Sequence, residues 1–238
     1  YNIKDVELVD RLDEKMKLVD LLLTMAYEAK VNLTDAYTSV KYWDILIFNH
    51  LHKQKIMIPQ LKSQRQKSEK YAGAYVKEPQ TGLHNWVVSF DLNSLYPHLI
   101  MQYNISPETL CAETLSIDKE KCVDLFLKQD YNQSLLKEQN VTATPNGALF
   151  SKQTQGFLPK MMQEMYNDRT IYKKKMLDAK KDYEKTKDKQ YLNLISRYNN
   201  IQMARKISLN SAYGAIGNQW FRYYELLIAE GITTSGQL

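Results

Sequence analysis

The chain has 238 residues, of which 44% are hydrophobic and 25% are charged, enough apolar material for one large folded domain or two smaller ones. This composition excludes an intrinsically disordered chain, and no apolar run approaches the roughly 18 residues that a membrane-spanning helix needs, so we expect a soluble protein without a membrane partner. The net charge is +5, and the two cysteines, Cys111 and Cys122, are too few and too far apart for a zinc site, which favours unpaired thiols in a reducing compartment.

Helical periodicity dominates the first part of the chain. Apolar residues recur at helical spacing over residues 11 to 30 and again over residues 40 to 54, so each stretch predicts an amphipathic helix. The Ser/Gln/Lys-rich stretch Lys62 to Lys70 predicts a polar linker. We place a domain boundary between residues 58 and 59.

Short strands and helices are predicted beyond the linker. Tyr75 to Lys77 and Trp86 to Phe90 carry β-branched and aromatic residues on either side of a turn at Thr81-Gly82, and predict two strands. The sequence then predicts a short helix from Pro97 that ends before Pro107, helix over residues 119 to 139, a turn at Pro145-Asn146-Gly147 and a strand from Ala148 to Ser151.

Asp91 directly follows the apolar alternating run from Trp86 to Phe90 and opens the segment D-L-N-S-L-Y-P of residues 91–97. A carboxylate at a strand end, followed by a turn with free backbone N–H groups, can hold a divalent metal and the phosphates that the metal neutralises. An Asp in this place is also typical of a turn or a helix N-cap, and that alternative stays open for the residue taken alone.

Residues 159 to 214 predict a long helical hairpin. Between Pro159 and Gly214 the chain contains neither proline nor glycine. Because this stretch is too long for one ordinary globular helix, we predict a break near Thr186 to Gln190 and two antiparallel helices. A coiled-coil spacer is the alternative, but the apolar residues keep no strict heptad.

Positive charge is concentrated on this hairpin. Residues 160 to 224 contain fourteen Lys/Arg and six Asp/Glu, a net charge of +8, whereas the remainder has eighteen basic and twenty-one acidic residues, a net charge of −3. Residues 191 to 224 contain four basic residues and no acidic one. This asymmetry favours a polyanionic partner, although the interleaved charges of residues 180 to 189 are equally typical of a solvated helix face.

A second motif lies on the second helix of the hairpin. Lys206, Asn210 and Tyr213 follow one another at spacings of four and three within K-I-S-L-N-S-A-Y-G, so their side chains share one helix face. A core position for Tyr213 and a helix-end cation for Lys206 are the structural alternatives.

Together, D-x-x-S-L-Y-P and K-x-x-x-N-S-x-Y-G resemble motifs A and B of the family B DNA polymerases, most closely those of T-even-like tailed bacteriophages. Tyr1-Asn2-Ile3-Lys4-Asp5 resembles the third exonuclease motif of that family. A-Y-V-K-E-P of residues 74–79 leads into motif A, and N-Q-W-F-R-Y-Y of residues 218–224 follows motif B. The resemblance thus runs nearly from end to end.

The resemblance implies an α+β fold with a partial palm sheet, its helices, and the antiparallel helical hairpin as the fingers. It assigns residues 1–58 to the C-terminal part of a 3′–5′ exonuclease domain, 59–158 to the palm with motif A, 159–214 to the fingers with motif B, and 215–238 to the return into the palm. The later D-T-D motif of the family and its first two exonuclease motifs do not occur. We therefore interpret the chain as an internal piece of a longer polymerase and expect it to be inactive alone.

The implied activity is template-directed DNA synthesis, in which dNTPs are transferred by two-metal chemistry. Asp91 and the backbone carbonyl of Leu92 would ligate two Mg²⁺ ions. The triphosphate would meet the backbone N–H groups of Ser94 and Leu95 and the cations of Arg169, Lys173 and Lys206. Lys206 would also protonate the departing pyrophosphate.

The remaining implied roles concern the sugar, the base pair and the exonuclease. Tyr96 would lie beneath the deoxyribose and leave no room for a 2′-hydroxyl, while Asn210 would hydrogen-bond near the sugar and the triphosphate. Tyr213 and Gly214 would line the new base pair, the glycine because close backbone approach tolerates no Cβ. Tyr1 and Asp5 would be an exonuclease remnant, with an ordinary N-cap as the alternative for Asp5. A histidine, His98, replaces the small residue that usually follows Tyr-Pro in the family.

The implied partners are primer–template DNA, dNTPs and the segments that the chain lacks. These segments are the second palm part, the thumb and the rest of the exonuclease. A sliding clamp is a further candidate partner. The implied location is the cytoplasm of an infected bacterial host. Three other functions remain: a non-catalytic nucleotide- or DNA-binding module, a purely structural helical hairpin, and a ribonucleotide-using polymerase. Tyr96 argues against the last of these.

Overall fold

The computed structural model describes residues 1–61, 73–118 and 120–238. Two compact units divide the chain: Tyr1–Leu61 with Glu164–Ala215 form the first, and Lys62–Gln163 with Ile216–Leu238 form the second. The segments predicted as exonuclease tail and fingers thus share one unit, while the naming of the parts stays a prediction.

The first unit is helical. Its N-terminal segment folds as α1 (Asn2–Met16), α2 (Leu18–Ala29), a 3₁₀ turn (Asp35–Tyr37) and α3 (Ser39–Lys53). The helix predicted over residues 40 to 54 is confirmed by α3. None of the helices in the described part of the chain is long and apolar enough to cross a bilayer.

The single helix predicted over residues 11 to 30 is wrong, because α1 and α2 meet there at a sharp break. Lys17 adopts a left-handed conformation with φ of 54°, which a right-handed helix cannot continue through. The carboxylate of Asp13 then accepts a hydrogen bond from the backbone N–H of Val19 at 2.9 Å, and so satisfies a donor in the first turn of α2. All of α1 is described and none of its residues is buried.

The predicted hairpin consists of α7 (Phe157–Thr186), which begins in the second unit, and α8 (Gln190–Ile216). The break falls in the predicted stretch, where Lys187 has φ of 57° and the Asp188 carboxylate accepts the N–H of Gln190 at 2.9 Å. Contacts pair Tyr172 with Tyr198 and Asp168 with Arg205. Residue numbers fall along α7 as they rise along α8, so the two helices are antiparallel.

The second unit combines short helices with a small sheet. Its elements are α4 (Leu95–Tyr103), β1 (Leu110–Thr114), α5 (Cys122–Leu127), α6 (Gln133–Glu138), β2 (Val141–Ala143), β3 (Ala148–Ser151) and α9 (Leu226–Ser235). The strands form an antiparallel sheet in the order β1-β3-β2, with Val141 opposite Ser151. Phe126, Val141, Ala143 and Leu149 form a core cluster against it. The fold class predicted from the sequence is confirmed, and so are α4 and β3.

The strands predicted at Tyr75 to Lys77 and Trp86 to Phe90 are wrong, because both stretches lack regular structure. Trp86 has φ of 58°, outside the extended region, and its side chain and that of Phe90 are 99% and 92% exposed. Alternating apolar residues form a strand only when a neighbouring strand completes the hydrogen bonds. The part of the chain that the structure describes offers these stretches no such neighbour.

The helix predicted over residues 119 to 139 is also corrected, since two short helices, α5 and α6, replace it. Asn132 ends the connection between them and accepts the N–H of Leu135 at 3.2 Å through its side chain, as an N-cap residue does. The predicted linker from Lys62 to Lys70 lies outside the described residues.

Candidate active site

The motif B residues form an exposed stripe on α8. Lys206, Asn210 and Gly214 are exposed and Tyr213 is half-buried. Other residues of this part of α8 are buried, at 1% exposure or less: Ala204, Ser208, Leu209 and Ala212. The shared face predicted from the spacing is therefore present, and it faces solvent.

The basic residues of α7 lie on the neighbouring helix of the hairpin. Arg169 is half-buried and Lys173 is exposed. The ion pair between Asp168 and Arg205, at 3.4 Å, places their sequence neighbours Arg169 and Lys206 at the same level of the hairpin. Cations from both helices thus lie at this level of the hairpin.

Contacts that the sequence did not predict hold the buried face of α8. Arg205, 19% exposed in its side chain, pairs with Glu28 of α2 at 3.2 Å as well as with Asp168. Tyr42 and Trp43 of α3 hydrogen-bond to Ser208 and Ser211. Burial is the largest effect on the Glu28 carboxyl and raises its pKa above the ordinary value. The Asp168 carboxylate also raises this pKa, whereas the Arg205 cation lowers it.

The motif A residues lie at the start of α4 in the second unit. Asp91 and Leu92 are exposed and precede the helix without regular structure, so the prediction that Asp91 ends a strand is wrong. Ser94 is the N-cap, with φ of 51°, and Leu95 is the first helical residue. Backbone N–H groups at such a helix start lack partners within the helix and attract anions.

His98 fits this helix start through a local contact. Its backbone N–H donates to the carbonyl of Ser94 at 3.1 Å, and its ring Nδ1 lies 2.9 Å from the same oxygen. Because a carbonyl only accepts, Nδ1 carries the proton in this contact. The histidine therefore supports the turn that Ser94 begins.

Tyr96 packs against a glycine that sequence reasoning missed. The ring Cε1 of Tyr96 lies 3.3 Å from the position that a Cβ on Gly236 would take, so a larger residue would displace the ring. Gly236 ends α9. Gly214, by contrast, would place a Cβ only within 3.8 Å of Ser39 Oγ, an ordinary contact, so nothing in its described surroundings requires a glycine.

Comparison with known proteins identifies the family. The sequence model of DNA polymerase family B matches residues 32–238. The chain belongs to DNA polymerase family B. The DNA-directed DNA polymerase of Escherichia phage RB69 is 33% identical over 100% of this chain and 30% of its own length. That of Enterobacteria phage T4 is 32% identical with the same coverage.

A solved structure agrees in fold. The family B DNA polymerase of the hyperthermophilic archaeon Pyrobaculum calidifontis superposes with a TM-score of 0.65 and 24% identity, over 94% of this chain and 26% of the other. The resemblance to phage family B polymerases that the motifs indicated is confirmed. The chain spans about a third of the length of the curated phage relatives.

Family B DNA polymerases generally use divalent metal ions. The side-chain oxygens of Asp91 and the carbonyl of Leu92 are exposed and are donors of the type that Mg²⁺ prefers. They are too few, since Mg²⁺ takes about six oxygen ligands. Among residues 1–61, 73–118 and 120–238, no three His, Cys, Asp or Glu side chains lie close enough to hold an ion together. The donors thus fit the metal in kind, and by themselves they would not complete its ligand set.

The residues assigned to an exonuclease remnant lie at the exposed start of α1. Tyr1 is 112% exposed and is itself the N-cap. The N–H of Asp5 donates to the Tyr1 carbonyl at 3.1 Å, so the alternative of Asp5 as the N-cap is wrong. Asp5 lies in the first turn, where a carboxylate favours the helix dipole.

Proposed function

We propose that this chain carries the nucleotide-binding part of a template-directed DNA polymerase, which transfers deoxynucleotides to a primer. The exposed stripe of Lys206, Asn210 and Gly214 on α8 supports the proposal most directly. A cation, an amide and a glycine on the solvent-exposed face of a helix suit a polar ligand that approaches the backbone closely.

The cations of the hairpin suit a triphosphate. Lys206 and Lys173 act as flexible point charges, and Arg169 offers the planar fork of a guanidinium. Within the second unit, the N–H groups of Ser94 and Leu95 offer the partial positive charge of a helix N-terminus, which favours a phosphate group. Lys206 is also the proton donor to pyrophosphate as it leaves.

Asp91 and the Leu92 carbonyl hold Mg²⁺ together with oxygen donors of the substrate and of other polymerase segments. When bound, a pair of such ions stabilises negative charge on the attacking and leaving oxygens. The role of Asp91 would be to fix the position of the metal's positive charge beside the start of α4.

Selection of the sugar and of the base pair falls to four residues. The Tyr96 ring, whose edge contacts the end of α9, excludes a 2′-hydroxyl by occupying its space, while Asn210 hydrogen-bonds near the sugar. Tyr213 lines the nascent base pair beside Gly214. The other partners are primer–template DNA and the palm, thumb and exonuclease segments that this chain lacks. A sliding clamp is a further candidate partner. The proposed location is the cytoplasm of an infected bacterium.

The test is the affinity of the 238-residue chain for Mg²⁺-dATP, measured by anisotropy of a fluorescent analogue. Lys206→Ala should raise the Kd about 10-fold, because a charge-assisted phosphate contact contributes roughly 1.4 kcal/mol. Lys185→Ala makes the same charge change at an exposed position in the last turn of α7 and should leave the Kd unchanged. Equal affinities for all three proteins would contradict the proposal.

A non-catalytic nucleotide-binding module is the second candidate. The absence of a three-residue metal cluster among the described residues favours it for the chain by itself. This candidate predicts the same dATP binding and no dependence of any catalytic rate on Asp91. Primer extension by a complete polymerase that contains these segments, with Asp91 intact or changed to Asn, therefore separates the two functions.

A further inference from the structure

Two aromatic residues of α3 contact α8 through hydrogen bonds on its buried face. The hydroxyl of Tyr42 lies 2.6 Å from Ser208 Oγ. The indole N–H of Trp43 donates to the Ser208 carbonyl at 3.2 Å and to Ser211 Oγ at 3.1 Å. Tyr42 and Trp43 are 2% and 1% exposed, and Ser208 is 1% exposed.

These contacts lie on the opposite side of α8 from the proposed nucleotide-binding residues. An α-helix advances about 100° per residue, which places Ser208 about 160° around the axis from both Lys206 and Asn210. The rotation of α8 about its own axis therefore decides where Lys206 and Asn210 point. Whatever fixes Ser208 also fixes that direction.

The contacts restrain both rotation and sliding of α8. Trp43 donates one N–H to two neighbouring acceptors, the Ser208 carbonyl and Ser211 Oγ, so a shift of the helix along its axis lengthens or breaks these bonds. The hydroxyl of Tyr42, which also lies on α3, forms a second hydrogen bond to Ser208. Burial makes each broken bond costly, since the indole N–H would lose its partners without gaining water.

We propose that Tyr42 and Trp43 are positioning residues for the nucleotide site: they set the rotation of α8 and so direct Lys206 and Asn210 toward the triphosphate. Neither residue touches the nucleotide. The inference rests on the proposed function, because it requires Lys206 to bind the triphosphate.

Trp43→Phe is the test variant, since it removes the donor and keeps an aromatic ring. Ser211 Oγ still donates to the Ser208 carbonyl at 2.9 Å, so no acceptor on α8 is left without a partner. The Kd of the 238-residue chain for Mg²⁺-dATP should rise about 5-fold, the value of one net hydrogen bond. Tyr42→Phe, which leaves Ser208 Oγ bonded to the Ala204 carbonyl at 2.9 Å, should change the Kd in the same direction.

Ile47→Val is the matched control. Ile47 lies one turn further along α3 and is fully buried, so its truncation lowers the unfolding temperature without removing a donor. At a temperature where all variants are fully folded, Ile47→Val should bind dATP as the unsubstituted chain does. Equal affinities for Trp43→Phe and Ile47→Val would overturn the inference, because Trp43 would then act on stability alone.

A double variant separates this inference from the proposed function. If Trp43 acts through Lys206, then Trp43→Phe should weaken dATP binding much less when Lys206 is already Ala. Full additivity of the two changes would overturn the positioning role. If Lys206→Ala alone leaves the Kd unchanged, the proposed function fails; if Lys206→Ala weakens binding and Trp43→Phe does not, only the positioning role fails.

Discussion

At the scale of single residues, the most informative group is the charged cluster of Glu28, Asp168 and Arg205. Two carboxylates share one cation, at 3.2 and 3.4 Å, and burial acts against the ionised form of Glu28. The sequence gives no sign of this cluster, because charge patterns report neighbours along a helix and these three residues come from three helices. What the sequence does predict at this scale is the shared face of Lys206 and Asn210, which follows from helical spacing alone.

The raised pKa of Glu28 makes the stability of the fold depend on pH. Its folded pKa lies above the ordinary value of 4.5, chiefly through burial. The stabilisation from this group is therefore fully present below pH 4.5 and is lost as pH rises through the folded pKa. Glu28→Gln cannot ionise, so the unfolding free energy of the unsubstituted chain minus that of the variant should fall over this interval. Urea unfolding at several pH values measures this difference.

Glu184→Gln is the control for that series, because Glu184 is exposed near the end of α7. The substitution removes a carboxyl outside the cluster of Glu28, Asp168 and Arg205, and so gives the effect of the same chemical change at an exposed position. Parallel pH profiles for the unsubstituted chain and the Glu28→Gln variant would show that this carboxyl does not carry the effect.

At the scale of elements, prediction succeeded where a segment determines its own structure. The break between α7 and α8, the helix α3 and the strand β3 follow from local periodicity and turn residues. The run from Trp86 to Phe90 failed because a strand requires a partner. Strand β1 was missed because its pairing with β3 joins distant segments, and β2 was missed because it is only three residues long. Helix α9 was missed too, with small and β-branched residues whose helix propensity is modest.

The turn before β3 allows a sharp test at this scale. Gly147 has φ of 86°, and a Cβ there would lie 2.6 Å from the backbone oxygen of Leu115, which cannot move without distorting the sheet. Gly147→Ala should therefore cost about 2 to 4 kcal/mol of unfolding free energy, from backbone strain and the clash together. Chemical denaturation measures the loss. Gly73→Ala, where no heavy atom lies within 4 Å, should cost far less, and equal losses would contradict the argument.

At the scale of the whole molecule, the sequence predicted the family but not the contacts that join distant segments of the chain. The Tyr42–Ser208 and Trp43–Ser208 contacts link residues 166 and 165 positions apart. No local pattern distinguishes such a tryptophan from any other apolar residue on the buried face of a helix. The first unit therefore contains both the N-terminal helices and most of the hairpin, an association that only the structure reveals.

The catalytic capacity of the whole chain can be tested directly. Phosphoryl transfer by two metal ions needs several oxygen ligands around each ion. The described residues contain no group of three His, Cys, Asp or Glu side chains that could hold a metal ion, and the sequence contains no D-T-D segment. The 238-residue chain should bind Mg²⁺-dATP but should not extend a primer on a template within hours.

Gel electrophoresis of a labelled primer is the measurement, with Asp91→Asn as the control for contaminating polymerase. Extension that the unsubstituted chain performs and Asp91→Asn abolishes would show that this single acid suffices, and would require the missing ligands to come from the DNA, the nucleotide or a second copy of the chain.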